Sequence, residues 1–557
     1  MRSFTLDDRH LRRLAFAFVL FLSVFETYII GVNYAEYFAF LVDSETWFFS
    51  VTALICIIAS FYVFFRFIYF AISASRVYKV VCFLIFALAI IIEYGYQKAL
   101  GRFSDKIDIE TAIAATPEQQ LASIAMYFSV AALIPCIIFL TILVLVKADR
   151  PRGLRGFLTV TLLAIVCFAG SPLVVSQKFP TFAANAFFRT NLDFLVNGPV
   201  ATGKWTSSLA GAEIRRREVS KPALPEGYLP KNNIIVIADE SVMGDHLSLN
   251  GYGRDTTPFL DKLTREKILH NWGLATAAST GSRFTYSALI TGLTPDDFPD
   301  KTDFKVNTFP TLFQYAKAMN YHTYFFDGQM NGYWGGVADD KNYIDNWQGV
   351  LDVSDQKAFD TWELDNLIAK KIKNIIYSST GNFIFIFKHG SHIPYGSNCP
   401  PDQKVWTPSY ETADKYDIPS GDQLPSVVNA YDNSIKYNVN SFFQNLIDDY
   451  ANMPNGTVIV YTGDHGQTLF VNGRASHGGN TKGEATVPLF IIGKLSGTPD
   501  TTYKASHANI FPTVLDLMDY PGELRDKRGF PSLLRATAAD SRPRFFNPDL
   551  GHKIPFD

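Results

Sequence analysis

The chain has 557 residues, 48% of them hydrophobic and 15% aromatic, and 50 Lys and Arg against 53 Asp and Glu leave a formal net charge of −3. That length calls for more than one domain. A near-neutral balance with no basic tail excludes a nucleic-acid binder built on charge.

Five long apolar stretches occupy residues 1–178, at about 14–34, 47–73, 77–97, 123–147 and 156–178. Each reaches the ~20 residues that a helix needs to cross a ~30 Å hydrocarbon core. Five in succession predict a membrane domain of five transmembrane helices. Arg2, Arg9, Arg12 and Arg13 flank the first stretch. Arg76 and Lys79 lie between the second and third, and Lys147, Arg150, Arg152 and Arg155 between the fourth and fifth. The first loop instead carries Glu36, Asp43 and Glu45. The positive-inside rule then puts the N-terminus in the cytoplasm and, after five crossings, everything beyond residue 178 on the outer side. The first stretch is long and lacks a small-residue cleavage site, so no cleaved signal peptide is expected. Cys56, Cys82, Cys136 and Cys167 fall in the apolar stretches, which leaves Cys399 alone in the outer part. One cysteine can form neither an intradomain disulfide nor a paired-cysteine zinc site.

Residues 179–230 form a linker. Its first half, "FPTFAANAFFRTNLDFLVNG", mixes aromatics with few charges, as an interfacial segment or a packed linker would. From 231 to 557 the runs "NIIVIADE", "HTYFFDG", "NFIFIFKHG", "TVIVYTGD" and "VPLFIIG" are short, apolar and rich in β-branched and aromatic residues. Helix-like stretches such as "TTPFLDKLTREK", "TFPTLFQYAKAMN" and "NSFFQNLIDDYAN" separate them. Continuous rather than alternating apolar strands imply burial on both faces, hence a mostly parallel sheet in an α/β/α sandwich.

Ligands in such sheets bind beyond the carboxyl ends of the strands. Three of the runs end in residues able to hold a metal: Asp239 and Glu240, then His389 and His392, then Asp464 and His465; His477 follows. A single Asp-His at a strand end is ordinarily a turn, but three such ends in one domain point to a metal. Carboxylates with imidazoles suit Zn2+ or Mn2+. In "ATAASTGSRFTYSALITG", Thr280 precedes a helix-like run. Either it caps that helix or, beside a metal, its hydroxyl is a nucleophile.

The stretches "IADESVMGDHLSLNGYGRDTTPFLDKL", "STGSRFTYSALITGL", "HGSHIP" and "TGDHGQTLFVNGRASHGG" resemble the phosphoethanolamine transferases of Gram-negative inner membranes, including lipid A-modifying and mobile colistin-resistance enzymes of the alkaline phosphatase and sulfatase superfamily. The resemblance covers the whole chain and implies an alkaline phosphatase/sulfatase-like periplasmic domain on a multi-pass bacterial inner-membrane anchor. It further implies that Glu240, Thr280, Asp464 and His465 hold one zinc, with a second as an option. Thr280 would be the nucleophile that takes phosphoethanolamine from phosphatidylethanolamine. His392 and His477 would act at the substrate phosphate, and the acceptor would be lipopolysaccharide, on lipid A or a core sugar, or another periplasmic glycan. We read the chain as a monomer among membrane lipids, with no nucleic-acid partner.

The chain departs from that family in three places, at Asp239, at a missing lysine and in its disulfides. Asp239 stands where the family has Gly, so a ligand role there is open. A substrate-side lysine is missing near "DGQMNGYWGG", where Gln329 and Asn331 offer polar substitutes. The family's disulfides are absent. Glu26 and Glu93, within the apolar stretches, would either receive an ethanolamine ammonium or serve as ordinary hydrogen-bonded carboxylates. The rival readings are a phosphoglycerol transferase using phosphatidylglycerol and manganese, and a non-catalytic scaffold that has kept the fold. A formylglycine sulfatase is disfavoured because Gly281 stands where its motif needs Pro.

Overall fold

The computed structural model describes residues 4–30, 47–100, 129–163, 217–297, 309–329, 342–349, 362–411, 419–454, 456–470, 477–525, 529–549 and 552–557. The chain divides into two compact units, Met1–Ala212 and Glu213–Asp557. Most of the expected linker 179–230 lies outside the described residues.

The first unit is helical. Asp7 caps the helix Asp8–Phe25 by accepting the His10 N–H, and the helix runs on as a wider turn over Glu26–Ile30. Helices Trp47–Ser73, Arg76–Leu100, Leu133–Leu145 and Leu154–Leu163 follow. Among the described residues, Asp8–Ile30 and Arg76–Gly95 are long and apolar enough to cross a membrane, by length and composition. The part of Trp47–Ser73 whose side chains are described throughout, Phe61–Ser73, is shorter, as are Val130–Leu145 and Leu154–Leu163, and the second half of the expected fifth span lies outside the described residues. Phe18, Phe86 and Phe139 meet in the centre, with ring centroids 4.5–5.8 Å apart, while Phe16, Leu20, Leu84, Leu88 and Ile137 face outward.

Polar side chains tie one end of this bundle together. Strand β1 (Phe4–Leu6) pairs in parallel with β2 (Val146–Ala148). The Asp8 carboxylate accepts from the Tyr69 hydroxyl, from Arg12 and from Arg152, whose guanidinium also lies over the Tyr69 ring. Arg152 and Lys79, which count as topology signals in the sequence, thus also make specific contacts: Arg152 donates to Ser73 Oγ, and Lys79 donates to the Leu143 and Val146 carbonyls. Glu26 and Glu93 are fully buried in this unit, and the Tyr94 hydroxyl donates to Glu26 Oε1 at 3.2 Å.

The second unit is built on one seven-stranded sheet. Its strands are β3 (Asn233–Asp239), β4 (Leu269–Thr276), β5 (His322–Asp327), β6 (Asn346–Gln348), β7 (Asn382–Phe387), β8 (Thr457–Gly463) and β9 (Thr486–Ile492), arranged 4-9-8-3-7-5-6. β9 runs antiparallel to both β4 and β8, and every other pair in the sheet is parallel. Alternate side chains of β3 enter two separate cores: Ile234, Val236 and Ala238 on one face, Ile235 and Ile237 on the other. The first core packs against helices Ser282–Thr291, Leu312–Ala318 and Ile510–Leu517, and the second against Glu363–Ser378, Leu424–Ile435 and Phe442–Ile447. Each buried Ile or Val contributes about 1.5–3 kcal/mol, so both faces of β3 hold the layers together.

The five strands expected from the sequence are present in a three-layer, mostly parallel arrangement. Two more were missed. "LHNWGLAT" (β4) carries polar residues because it lies at the sheet edge, and a bulge between Asn271 and Leu274, with Gly273 at φ +71°, breaks its alternation. β6 has three residues, too short to leave a pattern. A hairpin of β10 (Phe545–Asp549) and β11 (His552–Pro555) completes the described fold.

Candidate active site

Because β3, β7 and β8 are parallel, their carboxyl ends deliver Glu240, the Lys388–His392 loop and Asp464–His465 to one edge. His465 Nε2 lies 3.4 Å from Glu240 Oε1 and 3.4 Å from Asp464 Oδ2. Potential ligand atoms of Glu240, His465 and His477 all fall within 4.8 Å of one another. His465 Nδ1–H donates to the Gly466 carbonyl at 2.9 Å, so the tautomer aims the Nε2 lone pair into the cluster. Asp464 Oδ1 accepts the Ser241 and His465 N–H groups, but its Oδ2 is buried with no hydrogen-bond partner. Such oxygens are uncommon; Asp239 Oδ1 and Asp516 Oδ2 are others here, but Asp464 Oδ2 lies 3.4 Å from His465 Nε2, where a cation between the two would satisfy both. Two carboxylates with a neutral imidazole suit zinc.

Without a cation the carboxylates compete. Burial, then the adjacent Glu240 charge, push the Asp464 carboxyl up to about 7. Burial would also raise Glu240, but the charges of His465, His392 and His477 overcome it and hold Glu240 below the usual carboxylate range. Burial lowers His465, yet Asp464 and Glu240 together leave it raised. His477 is driven well down by burial and by the charge of His465. Such opposed shifts mark a site organised around charge.

Glu240 is held by four donors: Ser241 Oγ at 2.6 Å, Gln329 Nε2 at 2.7 Å, Ser282 Oγ at 3.1 Å and the Tyr286 hydroxyl at 3.2 Å. Gln329, expected on the substrate side, is therefore a partner of Glu240 here. Asn331 lies outside the described residues. The His477 ring is 4.2 Å from that of His465, and its Nδ1 is 3.3 Å from Gln467 Nε2. The His392 ring is 6.2 Å from His477, and its Nδ1 donates to the Ile393 carbonyl. His389 stands farther back, its ring 6.4 Å from that of His392.

Asp239 stands apart from the Glu240–His465–His477 cluster. Consecutive strand residues point to opposite faces, so Asp239 turns away from Glu240 and accepts from Lys388 Nζ at 2.6 Å and the Tyr461 hydroxyl at 2.7 Å. Gly390 packs over it at φ +60°; a Cβ there would meet Asp239 Oδ1 and the Glu240 carbonyl at 2.5 Å each. Only glycine closes that approach.

Thr280 is fully buried. Its hydroxyl donates to the Gly479 carbonyl at 2.7 Å, and its N–H to the Asn547 carbonyl at 3.3 Å. The residue capping helix Ser282–Thr291 is Gly281, so the capping alternative for Thr280 does not hold. The hydroxyl among the ligand atoms is that of Ser282, 3.0 Å from His465 Nε2. Sequence reasoning missed Ser282 and Tyr286. Their spacing of four on one helix, with Ser282 two residues after Thr280, was the signal available. The "HLSLNGYGRDTTPFL" stretch proves to be scaffold: His246, Tyr252 and Arg254 converge on buried Asp432, and Thr256 and Thr257 bond the Ser248 turn.

Among curated relatives, the chain is 26% identical over 285 residues to the Kdo(2)-lipid A phosphoethanolamine 7''-transferase of Salmonella typhimurium, covering 50% of this chain and 46% of that protein. The chain spans about half the length of the curated relatives it matches. Its fold is that of the integral membrane lipooligosaccharide phosphoethanolamine transferase A of Neisseria meningitidis, with a TM-score of 0.57 at 20% identity over 91% of this chain and 97% of the other. The periplasmic domain of Escherichia coli EptC, solved as a complex with Zn, matches with a TM-score of 0.50 at 20% identity, over 61% of this chain and 97% of that domain. The sulfatase family model matches residues 232–520, more than half of the 557, and the chain belongs to that family.

Proposed function

We propose that the chain is a phosphoethanolamine transferase of the bacterial inner membrane, N-terminus cytoplasmic and second unit periplasmic, that moves the headgroup of phosphatidylethanolamine to a lipopolysaccharide acceptor through Thr280. The observation that carries the reading is the convergence of Glu240, Asp464 and His465 at the strand ends, with an unpartnered buried Asp464 oxygen. Relatives named phosphoethanolamine transferases support the choice of group. The apolar helices and their basic flanks support the location.

Zinc held by Glu240, Asp464 and His465, with the Thr280 hydroxyl, would lower that hydroxyl's pKa and neutralise charge developing on the phosphate. The protein's own part is to place and relay. Thr280 Oγ1 exchanges its bond to the Gly479 carbonyl for attack on phosphorus. An Oγ1–P bond forms as the bond from phosphorus to the diacylglycerol oxygen breaks, and the proton given up by Thr280 finishes on that oxygen. His477 and His392 face the cluster as the groups able to carry it. An acceptor oxygen then attacks the phosphothreonine, the Oγ1–P bond breaks, and Thr280 regains a proton. Gln329, Ser241 and Tyr286 fix the Glu240 carboxylate, so that it need not reorganise during either step.

The test is mass spectrometry of the purified full chain after incubation with phosphatidylethanolamine and zinc. An adduct of about 123 Da on Thr280, the mass of the transferred group in a covalent mechanism, and none in Thr280→Ala, is expected. Labelling of Ser282 instead would move the nucleophile. Labelling by phosphatidylglycerol alone, or by neither lipid, overturns the reading.

A further inference from the structure

Buried His507 is absorbed by neither the cluster nor the proposed relay. It opens a short 3-10 turn, His507–Asn509, capped by Ser506, before helix Ile510–Leu517. Its Nδ1 accepts the Ala278 N–H at 3.1 Å, which fixes that nitrogen as unprotonated. Its Nε2–H therefore donates toward the Gly463 carbonyl at 3.0 Å, with Thr462 Oγ1 also at 3.0 Å. Thr462 Oγ1 donates its own proton to the Pro488 carbonyl at 2.9 Å and is left free to accept. Burial pushes the imidazole down to about 3, so it stays neutral and keeps this tautomer at working pH.

The two partners are what matter. Ala278 lies two residues before Thr280, and Gly463 immediately precedes Asp464 and His465. The Thr280 segment has other supports from distant parts of the chain: Ala277 N–H on the Ala485 carbonyl at 2.9 Å, backbone bonds of Ala278 and Thr280 to Asn547 in β10 at 3.0 and 3.3 Å, and Gly478 N–H and the Gly479 carbonyl bonding Thr280 at 3.0 and 2.7 Å. None of these partners lies in β8, whereas His507 bonds its last residue, Gly463. We infer that His507 is a positioning residue for transfer, a fixed strut that sets the distance between the Thr280 segment and the strand end bearing Asp464 and His465. This rests on the reading of Thr280 as nucleophile. It also supplies a reason for a histidine, since no aliphatic side chain can accept from one backbone and donate to another.

The experiment compares the full-length His507→Leu and His507→Asn variants with wild type by three readouts: rate of lipid labelling at Thr280, zinc bound per chain, and amide exchange over residues 276–281. His507→Leu should slow labelling on the order of 100-fold, the size expected of a displacement of about 1 Å in a reacting group. Its zinc content should stay at the wild-type level, and exchange over 276–281 should quicken. His507→Asn keeps an acceptor near the Ala278 N–H and should recover part of the rate. Wild-type labelling by the leucine variant overturns the inference, as does parallel loss of zinc and labelling. If the leucine variant does not fold, the asparagine variant decides: an intermediate rate with full zinc supports the strut, and any other result overturns it. If wild type itself takes no label, the transferase reading fails. Exchange then still judges the strut, with unchanged protection counting against it.

Discussion

The two units handle charge in opposite ways. In the helical unit the outward face is apolar, and polar contacts gather at one end, where Asp8 and Arg152 meet at 3.1 Å with side chains 54% and 36% exposed. In the sheet unit the same kind of pair, Asp239 with Lys388, sits at the carboxyl end of β3 with both side chains 0% exposed. Geometry barely distinguishes the two pairs. Their surroundings do, because attraction between charges grows as water is removed while the penalty for an unmatched charge grows faster. Identical chemistry should therefore be indispensable in one unit and minor in the other.

The largest expected break of that comparison is Lys388→Met. Its ammonium faces Asp239 at 2.6 Å, Asp365 at 3.6 Å and the Asn438 carbonyl, with the Phe442 ring 4.3 Å away. Removal strands two buried carboxylates and should destabilise the sheet unit by about 3–5 kcal/mol, read as a fall in the urea midpoint. Adding Asp239→Asn should return a large part of the loss, because one of the stranded charges is gone. A single variant within 1 kcal/mol of wild type would show that the pocket is wetter than its burial indicates.

A middle-sized effect concerns His507, buried and uncharged. Its folded pKa of about 3 lies below the ordinary 6.5, so between those values the unfolded chain takes up a proton that the folded chain refuses. The sign follows: this contribution is complete above pH 6.5 and is lost as pH falls, at up to about 1.4 kcal/mol per pH unit. Unfolding of wild type and His507→Asn, compared between pH 7 and 5, should show the wild type losing stability more steeply by about 2 kcal/mol in all. Parallel profiles would mean that the ring titrates normally and is not held as a neutral strut.

How much of this could be read from the chain varies with the range of the interaction. "IIVIADE" and "VIVYTGDH" announce buried parallel strands because each opens on an unbroken apolar run, Ile234–Ala238 and Val458–Tyr461, and turns polar only at its carboxyl end, and that local pattern also puts Glu240, Asp464 and His465 at one edge. What the sequence concealed depends on partners far along the chain. Asp239 and Glu240 look like a pair of ligands, but strand alternation separates them, and Lys388, 149 residues later, neutralises the first. Gln329 was legible as polar and near the site, yet its hydrogen bond to Glu240 spans 89 residues. His507 gives no local sign of its role: Ser506 caps the turn that His507 opens, and the contacts of His507 to Ala278 and Gly463 depend on three segments meeting. The basic residues of the helical unit sit between these cases. Charge counting uses Arg152 and Lys79 for orientation, and nothing local foretells that both are also hydrogen-bonded.

The smallest expected effect makes the comparison sharpest. Asp8→Asn removes the charge that meets Arg12 and Arg152 but keeps an oxygen able to accept from the Tyr69 hydroxyl. At that exposure each ion pair is worth about 0–1 kcal/mol, so thermal unfolding of the helical unit should move by no more than about 1 kcal/mol, and the difference should shrink in high salt as the charges are screened. Lys388→Met should show no such salt dependence, since ions cannot reach a pair that water does not. Equal salt sensitivity at the two sites would remove the distinction and put the Lys388 pocket in contact with solvent. An Asp8→Asn loss near that of Lys388→Met would instead place the Asp8 cluster in a low-dielectric setting, and the sequence would then have understated how far the helical unit depends on it.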